Sequence, residues 1–370
     1  MKFFILGDRK MMYLKPALLN DPDFGGFLID SANIFDFERR VRSSYSNKQI
    51  SFKNFLRYSK ANGANLVLYY NDIVGSKLFR NYLYSLSNEF CFNIKDFFEF
   101  SFYKNIPLVY DTPQDLVNQI CYRKKDWEIL AERVSDQFSK ESIKAYLRAI
   151  EKKSIDEMIP YVVPFDFESF NKYSNHFSFM PTDDEIFVDI GAYDGDSVAK
   201  FIESTPTGGY REIHAFEPNK STYAQLVLRK QWIPRLFTYE LALSNQNSFS
   251  IFNNDGGSMG ARLYDGNAEV FNENDCCKVQ TVRLDDVLKN ATFIKMDVEG
   301  FEKNVVDGAK ELIRKCSPTL VIDTYHHAND ALEIYEAVMN IHKYSFVGMR
   351  FVHANLHAHS LYFSDTKNLV

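Results

Sequence analysis

A candidate ligand-binding loop lies in the stretch EIFVDIGAYDGDSVAKFIE. An apolar run reaches Asp189, and Gly191 and Gly195 follow in a predicted turn. Glycine lets the backbone approach a ligand closely and adopt φ angles that a side chain resists. Asp196 or Ser197 can then cap the helix that follows. An ordinary tight turn between a strand and a helix also favours these residue types, so the loop alone leaves both interpretations open.

The spacing of this loop discriminates between ligands. Its pattern, D-x-G-x-x-x-G-x-S, differs from the G-x-G-x-x-G of dinucleotide-binding loops. Asp194 and Asp196 would repel a pyrophosphate, but they suit the ammonium and sulfonium groups of S-adenosylmethionine. In HAFEP, Glu217 follows 28 residues after Asp189 and ends the next predicted strand. A carboxylate there can accept hydrogen bonds from both ribose hydroxyls. Together, the two motifs predict an S-adenosylmethionine site.

A third polar group lies in FIKMDVEG, where strand alternation places Lys295, Asp297 and Glu299 on one face. Three charges on a buried strand are costly unless they are paired or face a site. A structural pair of lysine and carboxylate is the alternative interpretation. His326, just beyond the predicted strand TLVIDTY, is the best-placed general base because imidazole titrates nearest neutral pH. We expect Asp297 to orient donor or acceptor and Glu299 to position the acceptor, but the sequence leaves open which group takes the proton.

No spacing in the sequence demands a metal, and none is predicted. A divalent ion would acidify an acceptor hydroxyl, and Asp297, Glu299 and Asp323 could supply oxygen ligands to it. The segment HANLHAH contains three further histidines, His353, His357 and His359. Only the last two share a predicted strand face, so we expect a solvated hairpin there.

Alternating strand and helix patterns from about residue 183 place these groups in a common fold. Such alternation predicts an α/β domain with a doubly wound, mostly parallel sheet. SFVGMRF and HSLYFS predict a strand pair that finishes the sheet antiparallel. Ligands of these sheets bind beyond the carboxyl ends of the strands, where the strand order reverses. The polar groups described above all follow strands in this way.

Three domains are predicted along the chain. Residues 1–120 read as a smaller α/β domain of unknown role, with strands FFIL, NLVLYY and IPLVYD and a helix in VGSKLFRNYLYSL. It has no phosphate-loop or dinucleotide glycine pattern, so no chemistry is assigned to it. Residues 121–180 are a helical connector, broken around Asp136 to Lys140, because charged and apolar residues alternate there with a period near 3.6. Residues 181–370 form the ligand-binding domain.

The composition limits the class of protein. The 370 residues suffice for two cores, and the net charge of −6, without a basic run, argues against nucleic-acid binding. The five cysteines form no C-x-x-C pair, which indicates reduced thiols. No apolar run approaches the ~20 residues that cross a bilayer. We therefore expect a cytoplasmic protein without a transmembrane segment.

The last domain resembles the FkbM-family methyltransferases, within the class I S-adenosylmethionine-dependent enzymes, over about residues 185–365. The resemblance rests on FVDIGAYDGDS, IHAFEPNKSTY, LALSN, VQTVRLDDVL, FIKMDVEGFEKNVVDGA and LVIDTYH. The string K-x-D-x-E-G-x-E is the most family-specific of these. The resemblance implies a Rossmann-like fold, S-adenosylmethionine as cofactor, and O-methylation of a hydroxyl on a sugar or glycan-type acceptor.

The resemblance also implies a set of site residues. Those expected at the cofactor are Asp189, Gly191, Tyr193, Asp194, Gly195, Ser197, Glu217, Pro218, Ser244, Ser258 and Asp297. Those expected to act on the acceptor are His326, Asp297, Glu299 and Lys295. Glu217 would contact the ribose, and Ser244 would lie near the adenine. Ser258, in NNDGGSMGARL, would line the cofactor or acceptor pocket from a mobile flap or a plain hairpin turn.

Two other functions remain open. One is a catalytically silent methyltransferase-like scaffold in glycan assembly, and the other is a nicotinamide-dependent dehydrogenase. The absent third glycine counts against the dehydrogenase. The presence of the loop acids and of the set from Lys295 to Glu299 counts against the scaffold. The sequence does not indicate the identity of the acceptor or the oligomeric state.

Overall fold

The computed structural model describes residues 1–6, 21–29, 49–68, 77–104, 111–163, 181–253, 262–264, 276–352 and 359–365. The chain divides into two compact units. Unit 1 comprises residues 1–122, 145–165 and 351–358, and unit 2 comprises residues 123–144, 166–350 and 359–370. The segment predicted as a connector, residues 121–180, divides between them after residues 122, 144 and 165. The three-domain division stays a prediction.

Helices and strands alternate along much of the chain. The helices are α1 (Phe52–Asn62), α2 (Lys77–Phe90), α3 (Phe97–Lys104), α4 (Pro113–Tyr122), α5 (Lys124–Arg133), α6 (Gln137–Lys152), α7 (Asp196–Ser204), α8 (Lys220–Lys230), α9 (Leu284–Val287), α10 (Glu302–Gly308), α11 (Lys310–Cys316) and α12 (Asp330–Ile341), with a 3-10 turn at Ile159–Tyr161. The strands are β1 (Phe3–Leu6), β2 (Phe24–Ile29), β3 (Gln49–Ser51), β4 (Ala64–Leu68), β5 (Phe92–Asp96), β6 (Val162–Val163), β7 (Ile186–Ile190), β8 (Glu212–Phe216), β9 (Leu236–Tyr239), β10 (Ala242–Leu243), β11 (Ser248–Asn253), β12 (Arg262–Tyr264), β13 (Cys276–Val282), β14 (Phe293–Met296), β15 (Thr319–Asp323), β16 (Phe346–Val352) and β17 (His359–Ser364).

Unit 1 contains a parallel sheet in the order β3-β2-β1-β4-β5. Phenylalanines from strands and helices fill its core, among them Phe3, which packs against Phe24 and Phe100. The predicted strands FFIL and NLVLYY correspond to β1 and β4, and IPLVYD lies outside the described residues except for Asp111. Strands β2, β3 and β5 were missed because FGGFLI contains two glycines and the other two are short or polar.

Unit 2 is organised around a second sheet, in which the order is β16-β17-β15-β14-β7-β8-β9. Its strands from β15 to β9 pair in parallel, and β17 pairs antiparallel with β15, as predicted. The chain leaves β7 towards β8 and β9, and later returns to β14 on the opposite side of β7. The strand order therefore reverses between β7 and β14, which is the position where doubly wound sheets bind ligands.

Apolar residues on the same strand faces as Asp189 and Lys295 hold β7 and β14 in place. Phe187 stacks on Phe201 of α7 with ring centroids 4.1 Å apart, and both rings pack against Phe293 of β14. All three are buried. Burying an aromatic side chain is worth about 1.5–3 kcal/mol, so the strand ends that carry the polar residues are anchored on both sides.

Some predicted elements differ from the structure in detail. The stretch LFTYELALS forms two strands, β9 and β10, that belong to different sheets, because β10 pairs with β13 in the small sheet β10-β13-β11-β12. The connector breaks at residues 134–136, slightly before the predicted position. Within the described part of the chain, no helix combines the length and the apolar character that a bilayer span requires.

Candidate active site

The first element of the site is a buried ion pair at the strand reversal. Asp189 of β7 and Lys295 of β14 are direct neighbours in the parallel register, and Lys295 Nζ lies 3.7 Å from Asp189 Oδ1. Burial raises the pKa of Asp189 to about 6, against the opposing effect of the Lys295 charge. Burial alone would lower the pKa of Lys295, but Asp189 and other nearby carboxylates outweigh it and raise this pKa. The lysine is therefore charged at neutral pH.

The backbone of the loop after β7 is in direct contact with the backbone that follows β14. Gly191 has a φ of +78°, and a Cβ built on it would lie 1.8 Å from the carbonyl oxygen of Asp297. Only glycine fits that position. Gly195, in the left-handed region, caps α7, which begins at Asp196 and so starts earlier than the sequence predicted. Ser197 does not cap the helix, because its Oγ donates a hydrogen bond to Asp189 Oδ2 at 2.5 Å.

The acidic residues of this loop differ in what they contact. Asp194 Oδ2 accepts a hydrogen bond from Arg229 Nη2 on α8 at 2.7 Å, so its charge is already neutralised within the chain. Asp196 is exposed and lies in the first turn of α7, where a negative charge is favourable. Asp189 Oδ1 and Asp194 Oδ1 are both buried and have no hydrogen-bond partner among the residues that the structure describes. The two aspartates differ in the distance to their cationic partners, which is 2.7 Å for Asp194 and Arg229 and 3.7 Å for Asp189 and Lys295.

Glu217 follows β8 and ties the two loops together. Its Oε2 accepts a hydrogen bond from the backbone N–H of Tyr193 at 2.9 Å, and its Oε1 accepts one from Asn219 at 2.8 Å. Burial raises the pKa of Glu217 to about 7. Each carboxylate oxygen can accept a second hydrogen bond, so the group retains capacity for a pair of ribose hydroxyls. Pro218 lies between these residues, half-buried.

Two of the implied cofactor residues lie farther along the chain. Ser244 is buried after β10, and its carbonyl oxygen occupies the space beside Gly308, where a Cβ would approach to 2.0 Å. Helix α10 thus fixes the backbone of LALSN. Ser258 lies outside the described residues, and so do His353 and His357 of the HANLHAH segment. The expectations for these three stay predictions.

The third part of the site is the loop that follows β14. The strand ends at Met296, so alternation does not extend to Glu299 as the sequence suggested. Glu299 instead adopts a φ of +57°, and Gly300 a φ of +98°. Left-handed backbone at a residue other than glycine costs roughly 1–2 kcal/mol and persists where surrounding contacts enforce it. Here the turn brings the Glu299 side chain back towards Asp297.

His326 is the centre on which these carboxylates converge. Its Nε2 lies 3.3 Å from Glu299 Oε2 and 3.5 Å from Asp297 Oδ1, and its Nδ1 lies 3.2 Å from Glu302 Oε1. The ring is 0% exposed, and Tyr325 packs against it with centroids 4.4 Å apart. Burial alone would lower the pKa of His326, but Glu302 and Glu299 outweigh it and raise this pKa well above its usual value.

Glu302 was not predicted as a site residue. It is almost fully buried at the start of α10, and its Oε1 also accepts hydrogen bonds from the backbone N–H groups of Val298 and Gly300 at 2.8 Å and 3.4 Å. It therefore holds the loop after β14 as well as the histidine. Glu302 is the final glutamate of the K-x-D-x-E-G-x-E motif. Its charge within that motif was the sequence feature that could have identified it as a site residue. The second missed residue is Tyr325, whose hydroxyl lies 3.5 Å from both oxygens of Asp297.

One trio among the described residues has the spacing of a metal site. Asp297, Glu302 and His326 each offer a ligand atom within 4.8 Å of the others. However, each ring nitrogen of His326 already faces a carboxylate oxygen, and Glu302 accepts two backbone hydrogen bonds. Asp323, which the sequence offered as an oxygen ligand, accepts a hydrogen bond from Ser360 at 2.5 Å. We therefore assign no ion to this cluster.

Comparison with known proteins shows which family the sequence of this domain resembles. A family model described as the methyltransferase FkbM domain matches residues 189–347, which begin at the buried aspartate of β7. Residues 189–347 are therefore similar to the methyltransferase FkbM domain. The expectation drawn from the sequence motifs is thus confirmed for the family and for the fold.

Two relatives show how far the similarity of this chain to known methyltransferases extends. The chain is 26% identical over 155 residues to the 2-O-methyltransferase NoeI of Sinorhizobium fredii, a match that covers 37% of this chain and 63% of NoeI. The chain thus spans less than two thirds of that relative. The crystal structure of methyltransferase FkbM from Methylobacillus flagellatus matches 98% of this chain and 90% of its own, with a TM-score of 0.67 and 17% identity. At that identity, the likeness shows a shared fold.

Proposed function

We propose that this protein transfers a methyl group from S-adenosylmethionine to a hydroxyl of a sugar or glycan-type acceptor. The observation that carries the proposal is the convergence of acidic residues at the strand reversal of the FkbM domain. Asp189 lies near the carboxyl end of β7, and Glu217 and Asp297 directly follow the adjacent parallel strands β8 and β14. This edge can bind a cationic, ribose-bearing donor on one side and a polyhydroxylated acceptor on the other.

The donor side fits the chemistry of S-adenosylmethionine. Asp189 offers a buried carboxylate oxygen without a hydrogen-bond partner among the described residues, which suits a positively charged ligand. Glu217 offers acceptor capacity for ribose hydroxyls. Lys295 moderates the negative charge of Asp189, so that the pair binds a cation without requiring an isolated buried carboxylate. Ser197 fixes the orientation of Asp189 from the start of α7.

The acceptor side fits a hydroxyl nucleophile. Bound S-adenosylmethionine supplies a methyl group on a sulfonium, which is already activated, so the protein contributes mainly alignment and exclusion of water. An aliphatic hydroxyl must lose its proton as its oxygen bonds to carbon. The side chains of Asp297 and Glu299 are 27% and 21% exposed, and they can therefore reach an acceptor. Two adjacent carboxylates suit neighbouring hydroxyls of a sugar ring, and the relative named 2-O-methyltransferase supports transfer to an oxygen atom.

The donor can be tested by isothermal titration calorimetry with S-adenosylmethionine and, separately, with NAD. We expect binding of the first alone. Asp189→Ala and Glu217→Ala should weaken that binding at least tenfold, equivalent to about 1.4 kcal/mol each. Glu311→Ala, on the exposed face of α11, is the matched control and should leave it unchanged. Binding of NAD without S-adenosylmethionine would replace the proposal with the dehydrogenase alternative.

The acceptor can be tested with methyl-labelled donor and a panel of nucleotide sugars and lipid-linked saccharides. We expect label in a saccharide product, at a position that mass spectrometry assigns to a hydroxyl oxygen. Donor binding without label transfer to any member of the panel would instead favour a catalytically silent scaffold. Transfer to a protein side chain or to a small aromatic compound would retain the methyltransferase and exclude the saccharide class.

A further inference from the structure

We propose that His326 acts as a buried imidazolium that positions Asp297 and Glu299, and that Asp297 takes the acceptor proton. This assignment rests on the proposed function for the identity of the proton donor, but the charge state of the ring is independent of it. The role differs from the general-base role that the sequence favoured for His326, which stays a prediction. Four structural observations support the new assignment.

The first observation is the chemistry of the atoms around the ring. Glu302 lies against Nδ1, while Glu299 and Asp297 lie against Nε2, at 3.2–3.5 Å. Ionised carboxylates only accept hydrogen bonds, and a neutral imidazole carries one N–H. A neutral ring would therefore direct a lone pair at a carboxylate on one side. Both contacts are favourable together only when both nitrogens carry protons.

The second observation is the charge of the elements packed around the ring. Helix α10 contributes Glu302, the loop after β14 contributes Asp297 and Glu299, and α12 contributes Asp330. Asp330 accepts a hydrogen bond from the backbone of His327 at 2.6 Å, and burial together with Glu302 raises the pKa of Asp330 to about 7. A buried carboxylate without a counter-charge is strongly unfavourable. An imidazolium supplies that counter-charge within this group, and the raised pKa of His326 agrees with the geometry.

The third observation is access. A general base must lie within hydrogen-bond reach of the proton that it removes. His326 is fully buried, with carboxylates on both nitrogens and Tyr325 against its face. Asp297 and Glu299 lie against Nε2 and are partly exposed, whereas the ring itself is not. An acceptor hydroxyl therefore meets a carboxylate before it can meet the imidazole.

The fourth observation separates the two carboxylates. The backbone N–H of Asp297 donates to Ile190 at 3.0 Å, and its carbonyl oxygen fills the space beside Gly191 in the donor-side loop. Glu299 lies two residues farther on, in the left-handed turn. Asp297 is thus the carboxylate fixed next to the donor loop. Asp297 is therefore suited to accept the proton of the reacting hydroxyl. Glu299 is suited to bind a neighbouring hydroxyl of the acceptor.

The chemical step balances without another reactant. The acceptor O–H proton passes to a carboxylate oxygen of Asp297, and the electron pair of the acceptor oxygen forms the O–CH3 bond. The S–CH3 bond breaks, and its electron pair remains on sulfur. His326 keeps both protons throughout and stabilises the carboxylates in the orientation that receives the acceptor.

The charge state is tested by nuclear magnetic resonance of the full-length, donor-free protein labelled with 15N in its histidine rings. The chain has eight histidines, and His326→Gln assigns the signal of interest. We expect both ring nitrogens of His326 to carry protons at about pH 7.5, above the ordinary titration range of imidazole. A neutral tautomer at about pH 7.5 would overturn the proposal. So would a shift of the His326 signal on addition of Mg²⁺ or Mn²⁺ that marks direct metal ligation.

The division of roles is tested by turnover and donor affinity in matched variants. Asp297→Asn should lower kcat by roughly 100-fold or more, as expected for loss of a base. His326→Gln, which can still donate one N–H, should retain at least about tenfold more turnover than His326→Leu. Equal losses in both histidine variants, with Asp297→Asn still active, would return the base role to His326. If no variant and no wild-type protein transfers methyl groups, the proposed function fails, whereas the ring measurement still decides the charge of His326.

Discussion

Lys295 and Asp189 occupy paired positions on adjacent parallel strands, and their charged atoms lie 3.7 Å apart at the point where the strand order reverses. The side chains are 10% and 0% exposed, so neither charge is solvated by bulk water. Removing either partner would therefore leave the other charge buried and unpaired at the proposed donor site.

We predict that Lys295→Met lowers the free energy of unfolding by about 3 kcal/mol, because it leaves the Asp189 carboxylate buried without its counter-charge. Urea denaturation followed by circular dichroism measures this. The double variant Asp189→Asn, Lys295→Met should recover part of the loss. Lys303→Met is the control, since its partner Glu333 is exposed and such pairs contribute at most about 1 kcal/mol. Equal effects of the two lysine substitutions would contradict a buried pair.

Gly191→Ala should destabilise the protein and abolish donor binding. The new methyl group would meet the Asp297 carbonyl oxygen at 1.8 Å, so one of the two loops must move. The control is Gly208→Ala, at the similar φ of +75°, where the nearest atom is 4.0 Å away. Its cost should be limited to the left-handed backbone, roughly 1–2 kcal/mol. Thermal unfolding and calorimetry with S-adenosylmethionine compare the two, and an equal loss would mean that the close approach is unimportant.

Donor affinity should increase with pH. Glu217 has a pKa of about 7 and Asp189 one of about 6 in the donor-free protein, both raised by burial. A donor that binds both ionised carboxylates must displace these protons, so its dissociation constant should be roughly 1000-fold larger at about pH 5 than at about pH 8. Calorimetry across this range measures the slope. Glu217→Gln should bind more weakly and show a flatter profile, whereas a pH-independent wild-type affinity would argue against contact with either carboxylate.

The donor-free protein should show the opposite trend in stability. The folded pKa of Glu217 lies above the ordinary value of 4.5, so the folded state retains a proton that the unfolded chain has lost. Between about pH 4.5 and pH 7 this group therefore lowers the free energy of unfolding as the pH rises. Urea titrations at several pH values, with and without saturating S-adenosylmethionine, test this. The donor should reverse the contribution of Glu217, and Glu217→Gln should remove it.

Asp194 should matter less to the donor than Asp189 does. Arg229 already binds Asp194 at 2.7 Å. We predict that Asp194→Asn changes the dissociation constant of S-adenosylmethionine by no more than about threefold, whereas Asp189→Asn changes it by about tenfold or more. A larger effect of Asp194→Asn would indicate that the arginine releases the carboxylate to the ligand.

Much of the donor side could be predicted from the sequence because its signals are local. Asp189, Gly191 and Gly195 are close together in the chain, and Glu217 ends the next strand of an alternating α/β pattern. Residues at the carboxyl ends of neighbouring parallel strands lie at the same edge of the sheet, so their proximity does not depend on the rest of the fold. The sequence could not show that Asp194 is paired with Arg229, because that partner lies 35 residues away on a helix face.

The acceptor side was harder to predict because a turn, rather than a strand, positions it. The alternation of Lys295, Asp297 and Glu299 suggested one strand face, but β14 ends at Met296. The backbone turns at Glu299 and Gly300. This turn, and not strand alternation, brings the carboxylates of Asp297 and Glu299 to His326. The carboxylate on Nδ1 of that ring comes from the next helix.

The contact between Gly191 and the Asp297 carbonyl has a consequence for protein engineering. The two loops touch through main-chain atoms, so neither can be widened to admit a bulkier acceptor without displacing the other. Acceptor preference should therefore be altered by substituting side chains that do not take part in this main-chain contact, such as Tyr325 or Glu299. Libraries that vary the backbone length of either loop should yield few folded members.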